Sequence, residues 1–140
     1  MKNTKKVIVM TICLLSLIGI YKYIDFNRED IFELGDVGWK AEATLWTDNS
    51  KNNMYNINFK VFNGTDTKEV ITDKSAYDMK INTDVNKGEL IIKIYNDEKI
   101  LFEKSGLIDE TIKISNDDNK NVKVEATGKK AQGNIKIKFI

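Results

Sequence analysis

The sequence predicts an all-β fold, an immunoglobulin-like antiparallel β-sandwich with a jelly roll as the alternative, preceded by one N-terminal transmembrane helix. Three observations carry that expectation. Val7 to Tyr21 is an unbroken apolar run, with Lys2, Lys5 and Lys6 before it and Lys22 after it. From Trp39 onward, apolar and polar residues alternate, which is the period of half-buried strands. Turn-forming residues interrupt this alternation at short intervals.

The first 24 residues set the expected location. At about 1.5 Å per residue, Val7 to Ile24 spans roughly 27 Å, close to the hydrocarbon thickness of a bilayer. No polar face interrupts the segment, so it suits a bilayer better than a soluble core. A cleaved secretory signal needs small residues three and one positions before the cut, but Ser16 is followed two positions later by Ile18 and Gly19 by Tyr21. A lipidated cysteine needs a small residue before it, and Ile12 precedes Cys13. The favoured reading is an uncleaved anchor, and a secreted or lipidated product is the alternative.

The lysines ahead of the run hold that flank in the cytoplasm, while Lys22 can extend its head to the interface along its apolar stem. Tyr21 and Tyr23 suit the interfacial layer. The expected arrangement is a cytoplasmic 1–6, a membrane-spanning 7–24, a connector over 25–38 and a β domain over 39–140 outside the cell membrane. Cys13 then lies in hydrocarbon as a small apolar filler.

Composition excludes several chemistries. Four of the 22 basic residues lie in the first 24 positions and none of the 21 acidic ones do, leaving 18 against 21 and a net charge of −3 outside. That balance, with Arg28 as the single arginine, argues against nucleic acid. The chain has no histidine, so Ser-His and Cys-His nucleophile systems and histidine metal sites are excluded. With Cys13 as the one cysteine, the outer domain has neither disulfide nor thiol and depends on its hydrophobic core. Heavy use of Lys, Asn and Ile without proline fits an AT-rich bacterial genome.

Within the connector, Asn27 can cap a short helix carrying Ile31, Phe32 and Leu34, or the stretch is a plain spacer ending at the Gly35–Gly38 turn chemistry. Eight strands are then expected. Trp39, Ala41, Ala43 and Leu45 share one face, as do Tyr55, Ile57, Phe59 and Val61. Tyr77 to Ile81, Leu90 to Ile94, Ile100 to Phe102, Ile112 to Ile114, Val122 to Val124 and Ile135 to Phe139 follow. Turns are expected at Asp48 to Asn53, Asn63-Gly64, Asn96-Asp97, Ser115 to Asn121 and Gly128 to Gly133. The spacing leaves no room for crossover helices, hence the antiparallel sandwich.

Gly88 to Tyr95, Ile100-Leu101-Phe102, Val122 to Ala126 and Ala131 to Phe139 form a pattern that resembles small exported proteins of Gram-positive bacteria. The resemblance implies an anchored or lipidated β-sandwich, and the absent lipidation motif departs from the lipidated members.

Two clusters are candidate sites. Asp117, Asn119 and Asn121 have the opening spacing of a calcium loop, but Val122 stands at its glycine position and Gly128 at its glutamate position. An Asx-rich hairpin explains them equally well. Trp46, Phe62 and Tyr95 fall on the opposite parity from their neighbours, so they form either an exposed platform for sugars or partners, or rings turned inward at bulged strand ends. Paired carboxylates could run a glycosidase, but nothing singles out a pair, and no Ser-x-x-Lys spacing occurs. Asn63-Gly64-Thr65 matches a glycosylation sequon and reads as a turn.

The expectation is therefore a non-enzymatic module for protein contact or structure at the cell envelope, held to the membrane through Val7–Ile24. A glycan- or calcium-binding module is the alternative.

Overall fold

The computed structural model describes residues 11–20, 22 and 31–140. Residues 11–20 are helical, and the Ser16 hydroxyl donates to the Cys13 carbonyl at 2.8 Å. Among the described residues no helix is long and apolar enough to cross a membrane, and the expected span Val7–Ile24 falls partly outside them. Ile31–Ile140 is a compact unit separate from Met1–Asp30.

The compact unit is antiparallel β-sheet. Its strands are β1 (Phe32–Thr44), β2 (Thr47–Asp48), β3 (Met54–Thr72), β4 (Tyr77–Tyr95), β5 (Ile100–Ser105), β6 (Ile108–Ile114) and β7 (Lys123–Phe139). All seven join one hydrogen-bonded sheet along the path β1-β3-β7-β4-β5, with β2 on β3 and β6 on β4. The expected eight short strands are seven, because β4 and β7 each join two of the expected strands into one long one, while the short β2 is added. β1 begins at Phe32, inside the stretch expected as connector, and pairs with Thr72 from there.

The three long strands each pass through two halves of the sheet. In the first half they are flanked by β2 and β6, and in the second by β1 and β5. The border is a set of aligned bulges. Phe59, Gly133 and Val85 are partners on its first side, and Gly64, Gly128 and Leu90 on its second. Every strand crosses it in five steps, an odd number, so the alternation of side chains inverts. Before the border of β3 the buried residues are Tyr55, Ile57 and Phe59; from Phe62 onward they are Phe62, Asp66 and Val70, with Thr67 the one buried residue of the other parity. β4 switches from Met79 and Ile81 to Leu90, Ile92 and Ile94, and β7 from Val124 and Ala126 to Ala131, Ile135 and Ile137. The inversion keeps one face apolar on both halves while the sheet folds.

This border corrects several expectations. Val61 is 41 % exposed and Phe62 is fully buried, the reverse of an uninterrupted strand. Asn63-Gly64 and Gly128 to Gly133 lie inside strands rather than at turns, because bulges and turns recruit the same residues. At Gly128 a Cβ would fall 2.5 Å from the Phe62 ring and 2.6 Å from its carbonyl oxygen, so only glycine admits that ring. Leu45, expected inside, has a φ of 49° and is exposed, because β1 ends at Thr44.

The halves meet across a common interior. The Phe32 ring from the second half packs edge-on to Tyr77 at 5.4 Å and stacks on Phe139 at 5.7 Å, both from the first half. Tyr77 is buried, and its hydroxyl has no hydrogen-bond partner among the described residues. Burial pushes that phenol far up.

Two substitutions test this packing by thermal melts of the full chain in neutral detergent. Gly128→Ala overpacks the Phe62 site and is expected to cost about 1–3 kcal/mol. Tyr77→Phe removes an unsatisfied buried hydroxyl and is expected to leave stability unchanged or raise it by about 1 kcal/mol.

Candidate functional site

The second half of β3 continues the inward alternation through Phe62, Gly64, Asp66, Lys68 and Val70, so a carboxylate and an ammonium occupy core-facing positions. Asp66 is 2 % exposed. The Tyr55 hydroxyl, reaching across from the first half, donates to Asp66 Oδ2 at 2.7 Å. Lys68 Nζ lies 3.6 Å from Asp66 Oδ1 and also pairs with Asp36 on β1. The two partners differ in solvation, since Asp36 is largely exposed while the Lys68 side chain is mostly covered.

A bulge in β1 between Asp36 and Gly38 opens a recess onto these groups. Asp36, Val37, Gly38, Trp39, Asp66 and Lys68 line it, and its volume is about 390 Å³. Trp39 pairs with Asp66 across the strands and therefore faces the same side. Its indole sits edge-on to Trp46 at 4.7 Å and stacks over Phe62 at 6.1 Å, yet Trp39 remains 48 % exposed. No described strand pairs with the far side of β1, so the recess opens at a bare sheet edge.

Electrostatics follow from burial. Desolvation raises the Asp66 carboxyl above its ordinary 3.8, and it prevails over the Tyr55 hydrogen bond and the Lys68 charge, which lower it. Burial pulls Lys68 down, but its bond to Asp36 and the charge of Asp66 outweigh this and keep its pKa above 10.5. Tyr55 is pushed well up, first by burial and then by the charge of Asp66. An amine held protonated cannot act as a nucleophile. Two carboxylates around one ammonium, beside an exposed indole, instead favour a cationic guest through charge and the face of the ring.

The clusters singled out from sequence are placed differently. Trp46 and Phe62 come together, 5.1 Å apart, as part of the aromatic wall behind Trp39. Tyr95 lies on the outer face, covered by Lys93 at 4.8 Å and Lys123 at 6.0 Å, with its hydroxyl 3.4 Å from Glu125. The three rings do not form one platform, because the β3 bulge turns Phe62 inward.

Asp117, Asn119 and Asn121 do not converge either. Asn119 donates to the Lys74 carbonyl at 3.0 Å, Asn121 donates to Asp97, and Asp117 is exposed. The Asp97 carboxyl is held below its usual range, first by Asn121 and then by Lys123. The loop's side chains thus tie neighbouring loops together. Among the described residues no three metal-ligating side chains are grouped for a metal ion.

Sequence reasoning missed Asp36, Tyr55, Asp66 and Lys68 as a group. The usable signal was the period-2 series from Phe62 to Val70, whose apolar ends bracket Asp66 and Lys68. No family model, curated protein or solved structure matches the chain.

Asp66 makes a signed pH prediction. Its raised carboxyl disfavours the folded state above that raised value, and the penalty fades as pH falls toward 3.8. Asp66→Asn is therefore expected to melt at or above the native chain at neutral pH, with the difference shifting in the native chain's favour on acidification. A difference independent of pH would contradict the buried charge. Tyr55→Phe strips Asp66 of its donor and is expected to cost about 1–3 kcal/mol in the same melts.

Proposed function

We propose that this chain is a non-enzymatic binding module, held at the outer side of a cell membrane by its N-terminal apolar segment. It captures an extended, basic segment of a partner protein along the β1 edge. The observation that carries this reading is the recess at Asp66, floored by a buried carboxylate, walled by a half-exposed Trp39 and open at a bare strand edge. A bare edge offers backbone donors and acceptors to an added strand, and a recess beside it selects one side chain of that strand. The surplus of carboxylates favours lysine or arginine there.

The two five-stranded halves, packed face to face, serve as the layers of a β-sandwich that holds the edge rigid. The resemblance to small exported proteins implies an anchored sandwich of the same kind. The absence of histidine and the protonated state of Lys68 argue against catalysis. A glycan reading survives on one observation, the exposed Trp39 indole beside hydrogen-bonding carboxylates, since sugars also stack on such rings.

A photo-crosslinker at Val37 of the full chain in native membranes tests the reading. A protein adduct at Val37 is expected, absent from a control crosslinker at Lys60. Asp66→Asn is expected to reduce it about tenfold, the effect of losing one charge-assisted bond of about 1.5 kcal/mol. A protein adduct unaffected by Asp66→Asn and Trp39→Ala would overturn the role of the recess, and adducts only to carbohydrate would favour the glycan reading.

A further inference from the structure

The outer face of the first half carries a second, unrelated feature. On β7, β4, β3 and β6, outward side chains stand in register rows. Lys138 is directly opposite Lys80, and beyond Lys80 stands Thr111; in the next row Asn56, Lys136, Asn82 and Asp109 line up across the four strands. Lys80, Asn82, Asp109, Lys136 and Lys138 line a recess of about 380 Å³.

Like charges directly opposite on adjacent strands destabilise a sheet, because their Cβ atoms are only about 4.5–5.5 Å apart. Several other lysines of the sheet are answered: Lys93 by Glu125, Lys104 by Glu110, Lys123 by Asp97 and Lys129 by Glu89. Among the described residues no carboxylate lies within 4.0 Å of the Lys80, Lys136 or Lys138 ammonium groups. Three unanswered ammonium groups thus border one recess, with the amides of Asn56 and Asn82 beside them as further donors. Asp109 is the single acid among the lining residues, whose charges sum to +2 on a unit whose net charge is negative.

We infer that this recess is a binding site for a phosphoryl group. Such a group carries the charge that three lysines lack and several acceptor oxygens for lysine and asparagine donors. A flexible ammonium meets phosphate as a point charge, so arginine is not required. The site lies on the outer face of β4 and β7, whereas the Asp66 recess lies on the inward face and opens at the β1 edge, so neither inference depends on the other.

Lysine acylation of the full chain, quantified by mass spectrometry, tests the site and separates its two sources of phosphoryl groups. In neutral detergent, inorganic pyrophosphate is compared with sodium chloride at equal ionic strength; in nanodiscs, phosphatidylglycerol is compared with phosphatidylcholine. Acylation of Lys80, Lys136 and Lys138 is expected to fall about threefold or more when the site is mostly occupied, while the exposed Lys120 and Lys130 hold their reactivity. The variant Lys80→Gln/Lys138→Gln is expected to lose the protection of Lys136. Protection by pyrophosphate alone identifies a soluble ligand, by phosphatidylglycerol alone a lipid headgroup, and by both a site that reads the phosphoryl group itself. No protection in either arm, equal protection by chloride, or uniform protection of all lysines would overturn the inference.

Discussion

The fold depends on one constraint: a sheet apolar on one face can fold over itself only if every strand crossing the fold inverts its alternation there. Here β3, β4 and β7 cross in the same five-step interval, so the inversion preserves their register. A bulge in only one strand would turn half of that strand's side chains toward solvent. At about 1.5–3 kcal/mol for each large apolar side chain, misplacing even a few would cost an amount comparable to the usual stability of a domain. Glycine allows the close approaches at the border, and the Phe62 ring against Gly128 is the tightest of these involving a core side chain.

The same constraint generates the Asp66 recess. Once Phe62 is turned inward, Asp66 and Lys68 must follow it, since they share its parity. The interior then holds a carboxylate that only Tyr55 and Lys68 can satisfy, and Tyr55 reaches it because the first half lies across from the second. The β1 bulge leaves the group accessible at the sheet edge. A buried ionic network of this kind is a poor source of stability. Its place beside an exposed indole and an unpaired edge is what supports the proposed use in recognition.

Much of the fold was legible in the sequence, strand half by strand half. The alternations of Tyr55 to Phe59, Tyr77 to Ile81, Leu90 to Ile94 and Ile135 to Phe139 all run as strands with the expected residues inside. What could not be read was continuity. Asn63-Gly64 and Gly128 to Gly133 have the chemistry of hairpin turns, and only pairing with neighbouring strands distinguishes a bulge from a turn. The start of β1 was hidden for a similar reason, because Gly35-Asp36-Val37-Gly38 reads as a loop and is a bulged strand. The site was less legible still. Aspartate and lysine in a strand pattern signal the solvent face, and their inward placement follows from a parity change marked only by the apolar ends of the Phe62 to Val70 series.

The most direct test is thiol accessibility along β7 in a Cys13→Ser background of the full chain. Ala126 and Ala131 are separated by five positions, so an uninterrupted strand would bury one and expose the other. Ala126→Cys and Ala131→Cys are both expected to resist a water-soluble maleimide under native conditions, while Lys129→Cys and Lys130→Cys react fast. Rapid labelling of either alanine position in the folded chain would contradict the inverted alternation, and with it the folded sheet and the recess it creates.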